Sequence, residues 1–108
     1  MIRVKVYGTR EHFEGFRVEG HALFDDPGKD VVCAAVSILT INTINAIEEF
    51  VKDQKMQAVS DEKKGYIELK LLNEAKKDTL LLTDTFLLGI RGIIGEYGTK
   101  YVKLENGF

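Results

Sequence analysis

One imidazole, one thiol and three carboxylates fall within the stretch GHALFDDPGKDVVCAAVS, Gly20 to Ser37, which also holds the chain's only cysteine and only proline. Packing does not require this mixture, whereas nucleophilic chemistry could use it. An imidazole beside a thiol takes its proton and later returns one to a leaving amine. Asp30 has the character of a helix N-cap, because apolar residues at helical spacing begin just after it. Cys33 would then be the third residue of that helix, where unsatisfied amides and the positive end of the dipole favour an anion. His21 stands beyond the end of the preceding strand, and the Pro27-Gly28 turn between the two could fold the chain back so that they meet. A plainer reading stays open at this level. Cysteine often serves as a small buried hydrophobe, and Cys33 flanked by Ala34 and Ala35 suits a tight helix–sheet contact. His21 would then be a loop residue. Asp25 and Asp26 could orient His21 or simply belong to the loop's turns.

The elements that must position these groups follow from periodicity. Residues 2–7 alternate in the period-two pattern of a half-buried strand, and a second alternating run places Phe16 and Val18 opposite Arg17 and Glu19. Gly8-Thr9-Arg10 is a turn, which makes the two runs an antiparallel hairpin, and Gly20–Lys29 is a loop. Helix one spans about Val31 to Lys52. Met56–Ser60 and Tyr66–Leu72, joined by the charged turn 61–65, form a second hairpin. Helix two runs from about Asp78 to Tyr97, and Tyr101–Leu104 is a last short strand. The order ββ-α-ββ-α-β predicts one α+β domain over 1–108. It has two layers, a largely antiparallel sheet with both helices on one face. The other face is polar, with Arg3, Lys5, Arg17, Glu19, Glu68, Lys70 and Lys103 outward.

Composition narrows the classes of function. Fifteen basic residues against 17 acidic give a net charge of −2, which speaks against a direct nucleic-acid partner held through phosphates. A lone cysteine makes no internal disulfide, and a redox sensor would need its resolving thiol from another chain. The N-terminus has early charges and no signal-like apolar core, and the apolar runs Val31–Val36 and Leu80–Leu82 are short, so a cytoplasmic protein without membrane attachment is expected. His12, His21 and Cys33 lack zinc-motif spacing, and neither a metal nor another cofactor is expected. Gly89, Gly92, Gly95 and Gly98 fall late in an apolar helix rather than before one. They read as packing glycines and a C-terminal cap, not as a phosphate loop. Glu48-Glu49 and Lys76-Lys77 read as solvated faces.

Two elements, Gly20-His21-Ala22 and the run from Gly28 through Asp30 and Cys33 to Ser37, resemble the ribosomal-processing cysteine protease family. The likeness continues through the element order and a late stretch of helix two, Leu87 to Ile90. The resemblance implies a cytoplasmic endopeptidase with Cys33 as nucleophile and His21 as base. Gly20, Gly28 and Asp30 would support the site, and Ser37 would brace it one turn after Cys33. It further implies a homodimer with a mobile loop between the His and the Cys. The implied substrate is the large-subunit ribosomal protein numbered 27, whose N-terminal extension is removed by a cut within a hydrophobic, aromatic-rich segment. The oxyanion would rest on amides at the start of helix one, including that of Cys33. Leu23, where the family usually has glycine, and Pro27 depart from the pattern, and both stiffen the loop. The rival reading is a non-catalytic dimeric module that escorts ribosomal protein during assembly.

Overall fold

Alternation in the first strand resolves as period-two patterning requires: Ile2, Val4 and Val6 are buried while Arg3 and Lys5 are exposed. A computed structural model describes residues 1–26 and 29–108. Its elements are β1 (Ile2–Gly8), β2 (Phe13–Glu19), α1 (Val31–Phe50), β3 (Met56–Asp61), β4 (Tyr66–Leu71), α2 (Lys77–Tyr97) and β5 (Val102–Asn106). The strands form one sheet in the order β3-β4-β2-β1-β5. Every neighbouring pair is antiparallel except β1 with β5, which run parallel. This is the two-layer α+β arrangement expected from the element order.

The core lies between the sheet and the two helices. Phe16 of β2 stacks on Phe86 of α2 with ring centroids 4.6 Å apart. Around them Val4, Leu69, Val36, Ile47, Leu87 and Ile90 are fully buried. Thr40 and Thr83, buried in the same layer, satisfy their hydroxyls on the carbonyls of Val36 and Thr79 one turn earlier. The opposite sheet face is polar, as the strand patterning implies. There Tyr7 donates to Glu68, and burial together with that bond pushes the Tyr7 phenol up to about 12.

Three details differ from the periodicity reading. β2 begins three residues earlier than its alternation, because Gly15 and Phe13 continue the pairing with β1 through an irregular register at Tyr7/Gly8. α1 stops at Phe50, where the Val51 amide closes the last turn on the Ile47 carbonyl. The helical glycines also divide. Gly89 faces α1 so closely that an added Cβ would stand 2.5 Å from a Leu39 methyl, whereas Gly92 and Gly95 have nothing within 4 Å of that position. Only Gly89 is a packing glycine, and Gly98 caps the helix by donating to the Ile94 carbonyl.

By length and composition α1 would suffice to cross a membrane, with a mean hydropathy of 1.6. Counting uninterrupted apolar runs misses this, because Ser, Thr and Asn break the run without adding charge. In this fold one face of α1 is spent on the sheet: Val32, Val36, Thr40, Ile44 and Ile47 are buried.

Candidate active site

Asp30 ties the site together. Its extended backbone begins α1, and its Oδ1 accepts from the amides of Val32 and Cys33, both at 3.0 Å. This is the N-cap expected from sequence. Its Oδ2 turns the other way and accepts from the loop amides of Phe24 and Asp25 at 2.9 and 3.3 Å. Burial alone would raise this carboxyl. The amides of Cys33, Asp25 and Phe24 and the Cys33 thiol outweigh it, and the carboxyl ends below its ordinary value. One side chain therefore fixes both the helix start and the loop that leads to it.

Cys33 is half-buried in the first turn of α1, and its Sγ accepts a hydrogen bond of 3.2 Å from the Ala22 amide. Three amides at the helix start are engaged. Val32 and Cys33 donate to the Asp30 side chain, and Ala34 donates to the Asp30 carbonyl at 3.0 Å. This corrects the expectation that the Cys33 amide is an available oxyanion donor: a buried carboxylate cap holds it.

His21 stands two residues past the end of β2 with an exposed side chain. Its ring rests against Gly65, where an added Cβ would stand 2.9 Å from Cε1 and 3.1 Å from Nε2. Gly65 has φ +59°, and its carbonyl accepts from the Gly20 amide at 3.0 Å, so the β3–β4 turn is docked on the Gly20-His21 backbone. Gly20 itself has φ +99°, and a side chain there would strike the Met1 carbonyl. The His21 carbonyl accepts from the Met1 amine at 2.5 Å. Among the described residues His21 and Cys33 make no hydrogen bond to one another, but both open onto one cleft.

That cleft, of about 450 Å³, lies between α1 and the β3–β4 hairpin. It exists because the helices leave the edge strand uncovered. Ala58 pairs directly with Leu69 and so shares its inward face, yet Leu69 is fully buried and Ala58 is exposed. Ile41, Ile44, Ala58 and Ile67 give the cleft apolar walls, Cys33, His21 and Ser37 line it, and Asp61 and Glu62 also border it.

The remaining sequence candidates separate. Asp25 accepts from the Asp26 amide rather than from His21. Gly28 and Pro27 lie outside the described residues. His12 sits in the turn before β2 and His21 beyond its end, about 20 Å apart for a strand of this length. Among the described residues no three His, Cys, Asp or Glu side chains are grouped to hold a metal ion. Leu23 has φ +58° with its side chain largely in solvent, a left-handed kink that glycine would adopt without strain. Phe24 next to it packs edge-on against Tyr97 and Tyr101, with centroids 5.4 and 5.1 Å away. The parts of Ala22, Gly65 and this aromatic contact were not anticipated. The turn at 61–65 was legible, but nothing local says which strand end it will touch.

The sequence profile of the family described as cysteine protease Prp matches residues 1–103. No curated protein matches the chain by sequence. Among solved structures, an essential ribosomal processing protease Prp from S. aureus, in complex with a covalently linked product peptide, superimposes with a TM-score of 0.88. It is 22% identical, with 98% of this chain and 99% of that one covered. The same S. aureus protease in complex with a substrate peptide gives 0.82 at 21% identity, with 98% and 99% covered. SMU.848 from Streptococcus mutans gives 0.81 at 31% identity, with 98% and 93% covered. At 21–22% identity the S. aureus structures speak for the fold alone, while the family match, running from β1 into β5, carries the assignment. A thiol at the mouth of a helix-walled cleft, on this fold and under this match, places the chain in the cysteine protease Prp family.

Proposed function

We propose that this protease removes the N-terminal extension of the large-subunit ribosomal protein numbered 27, with Cys33 as nucleophile and His21 as base. The observation that carries the reading is the shared cleft: the only thiol and a solvent-facing imidazole line one apolar groove open along an edge strand. A hydrophobic, aromatic-rich peptide segment suits walls of Ile41, Ile44, Ala58 and Ile67, where burying apolar surface contributes about 25 cal/mol per Å².

In the reaction His21 takes the Cys33 proton, which requires the exposed ring to leave Gly65 and turn toward the sulfur. Such contacts often close only when substrate binds. Sγ then attacks the scissile carbonyl carbon, whose π pair moves onto oxygen. On collapse the C–N bond breaks, and the amine leaves with the proton from His21. Water then cleaves the thioester, with His21 again accepting the proton, and the thiol is regenerated. Asp30 acts through the loop and the helix start, and Ser37 borders the same groove one turn further along α1.

The protein works as a cytoplasmic homodimer in this reading. From Val31 to Ile47 α1 carries no charge, and its outward residues include Ile38, 70% exposed, which borders a shallow apolar groove with Gly89 and Ile93 of α2. A second copy of the chain covers this face. Mass spectrometry of the extended precursor incubated with the protein tests the enzymatic claim. A single cut is expected, lost in both Cys33→Ala and His21→Ala. A Cys33→Ala protein that still cuts would refute it, whereas no cut by the unaltered protein, with Cys33 inert to alkylation, would favour the non-catalytic assembly module.

A further inference from the structure

We propose that the backbone N–H of Ala22 is a catalytic group of this enzyme, holding the Cys33 sulfur before attack and the substrate oxyanion after it. The inference rests on the protease reading above and supplies what that reading lacks, a donor in contact with the reacting sulfur. At the start of α1 the amides of Val32, Cys33 and Ala34 are already bound by Asp30. Ala22 is different: it is buried, and its N–H points at Sγ from 3.2 Å.

The peptide that carries this donor is held on both sides. The His21 carbonyl accepts from the Met1 amine, and the Gly20 amide is bonded to Gly65. Just downstream, the kink at Leu23 lets the next amides, of Phe24 and Asp25, turn onto Asp30. The Ala22 N–H therefore does not have to reorganise, which is the condition under which a donor lowers a barrier most.

Charge movement during the reaction explains the double use. When Sγ bonds to the carbonyl carbon, it gives up its negative charge and the carbonyl oxygen takes it. That oxygen is two bonds from Sγ, so an N–H in contact with the sulfur reaches it by a small shift of substrate. When the C–N bond breaks, the electron pair returns to the carbonyl and the N–H is released. His21 carries the proton throughout, and the amide only donates its hydrogen bond.

The test replaces a single atom. Ala22→lactate keeps the side chain and exchanges the amide N–H for an ester oxygen, and the same exchange at Leu23 is the control, because its amide makes no hydrogen bond among the described residues. The Ala22 ester should lower kcat by about 10²–10³ with KM nearly unchanged. It should also slow iodoacetamide alkylation of Cys33 at neutral pH by about tenfold, the effect of one charge-assisted hydrogen bond. The Leu23 ester should do neither. A folded Ala22 ester that cleaves and alkylates within threefold of the unaltered protein overturns the proposal. If the unaltered protein cuts no precursor, the substrate reading fails by itself and the alkylation rates still decide the role of Ala22. Should the ester not fold, a peptide aldehyde on the unaltered protein forms the same tetrahedral adduct. The Ala22 amide proton should then move downfield in the NMR spectrum, and an unmoved resonance overturns the assignment.

Discussion

Asp30 joins helix and loop through different oxygens, and two substitutions should separate those roles. Asp30→Ala removes all four amide contacts, to Val32 and Cys33 on one oxygen and to Phe24 and Asp25 on the other. Loss of the helix cap costs about 1 kcal/mol. The two loop amides regain water, so each costs about 1 kcal/mol net, for a total near 3 kcal/mol, or about 12 °C in Tm for a domain of this length. Asp30→Asn keeps an oxygen for the helix, since Asn caps as well as Asp, but turns an NH2 toward two N–H donors. It should therefore lose only the loop share, about 2 kcal/mol, with slow hydrogen exchange kept in the first turn of α1 and lost at Phe24 and Asp25. Urea or thermal unfolding with residue-resolved exchange measures both. Equal loss in the two variants, or an Asn variant as stable as the unaltered protein, would refute the division of labour. The pH dependence follows from the same geometry. The folded Asp30 carboxyl lies below its ordinary value, so its stabilisation is complete above the unfolded value, about 3.9, and is lost as pH falls through the lower folded one. The stability gap between the unaltered protein and Asp30→Asn should be full at neutral pH and close on acidification.

Three further outcomes are expected. Gly65→Ala puts a Cβ 2.6 Å from the Gly20 carbonyl and 2.9 Å from the His21 ring at a φ of +59°; it should cost about 1–2 kcal/mol from the left-handed backbone alone and lower cleavage more than tenfold, as peptide cleavage assays would show. Gly92→Ala, in open space, should stabilise the fold by about 0.8–1 kcal/mol of helix propensity, read as a higher urea midpoint, while Gly89→Ala should gain less or lose because Leu39 must move. If the proposed homodimer forms through the Ile38 face of α1, the unaltered protein should be a dimer and Ile38→Glu a monomer by light scattering, with circular dichroism unchanged; a dimer that survives the substitution, or an unaltered protein that is monomeric, would refute that interface.

Much of this molecule was legible locally. Each strand's buried face follows from alternation, as in Ile2, Val4 and Val6 against Arg3 and Lys5, because a half-buried strand exposes every second side chain. The α1 start followed from Asp30, since capping is a contact between residues two and three apart. The Gly-His-Ala and Gly-Lys-Asp-Val-Val-Cys elements were enough to point to the family to which the chain belongs. The C-terminal cap at Gly98 was likewise visible, whereas the equal spacing of Gly89, Gly92 and Gly95 concealed their different surroundings.

Tertiary structure decided everything that depends on which surfaces meet. That α1 leaves Ala58 uncovered, and so opens a cleft, is a result of how two helices sit on five strands. That the turn at Gly65 becomes the rest for His21 depends on β4 pairing with β2 rather than with β1. The same holds for the donor at Cys33, which the helix dipole suggested would be a helix amide and which the fold supplies from Ala22 instead. Periodicity and capping act over a few residues, so composition encodes them directly. Contacts between distant segments depend on the summed packing of the whole core, and no short stretch carries that information alone.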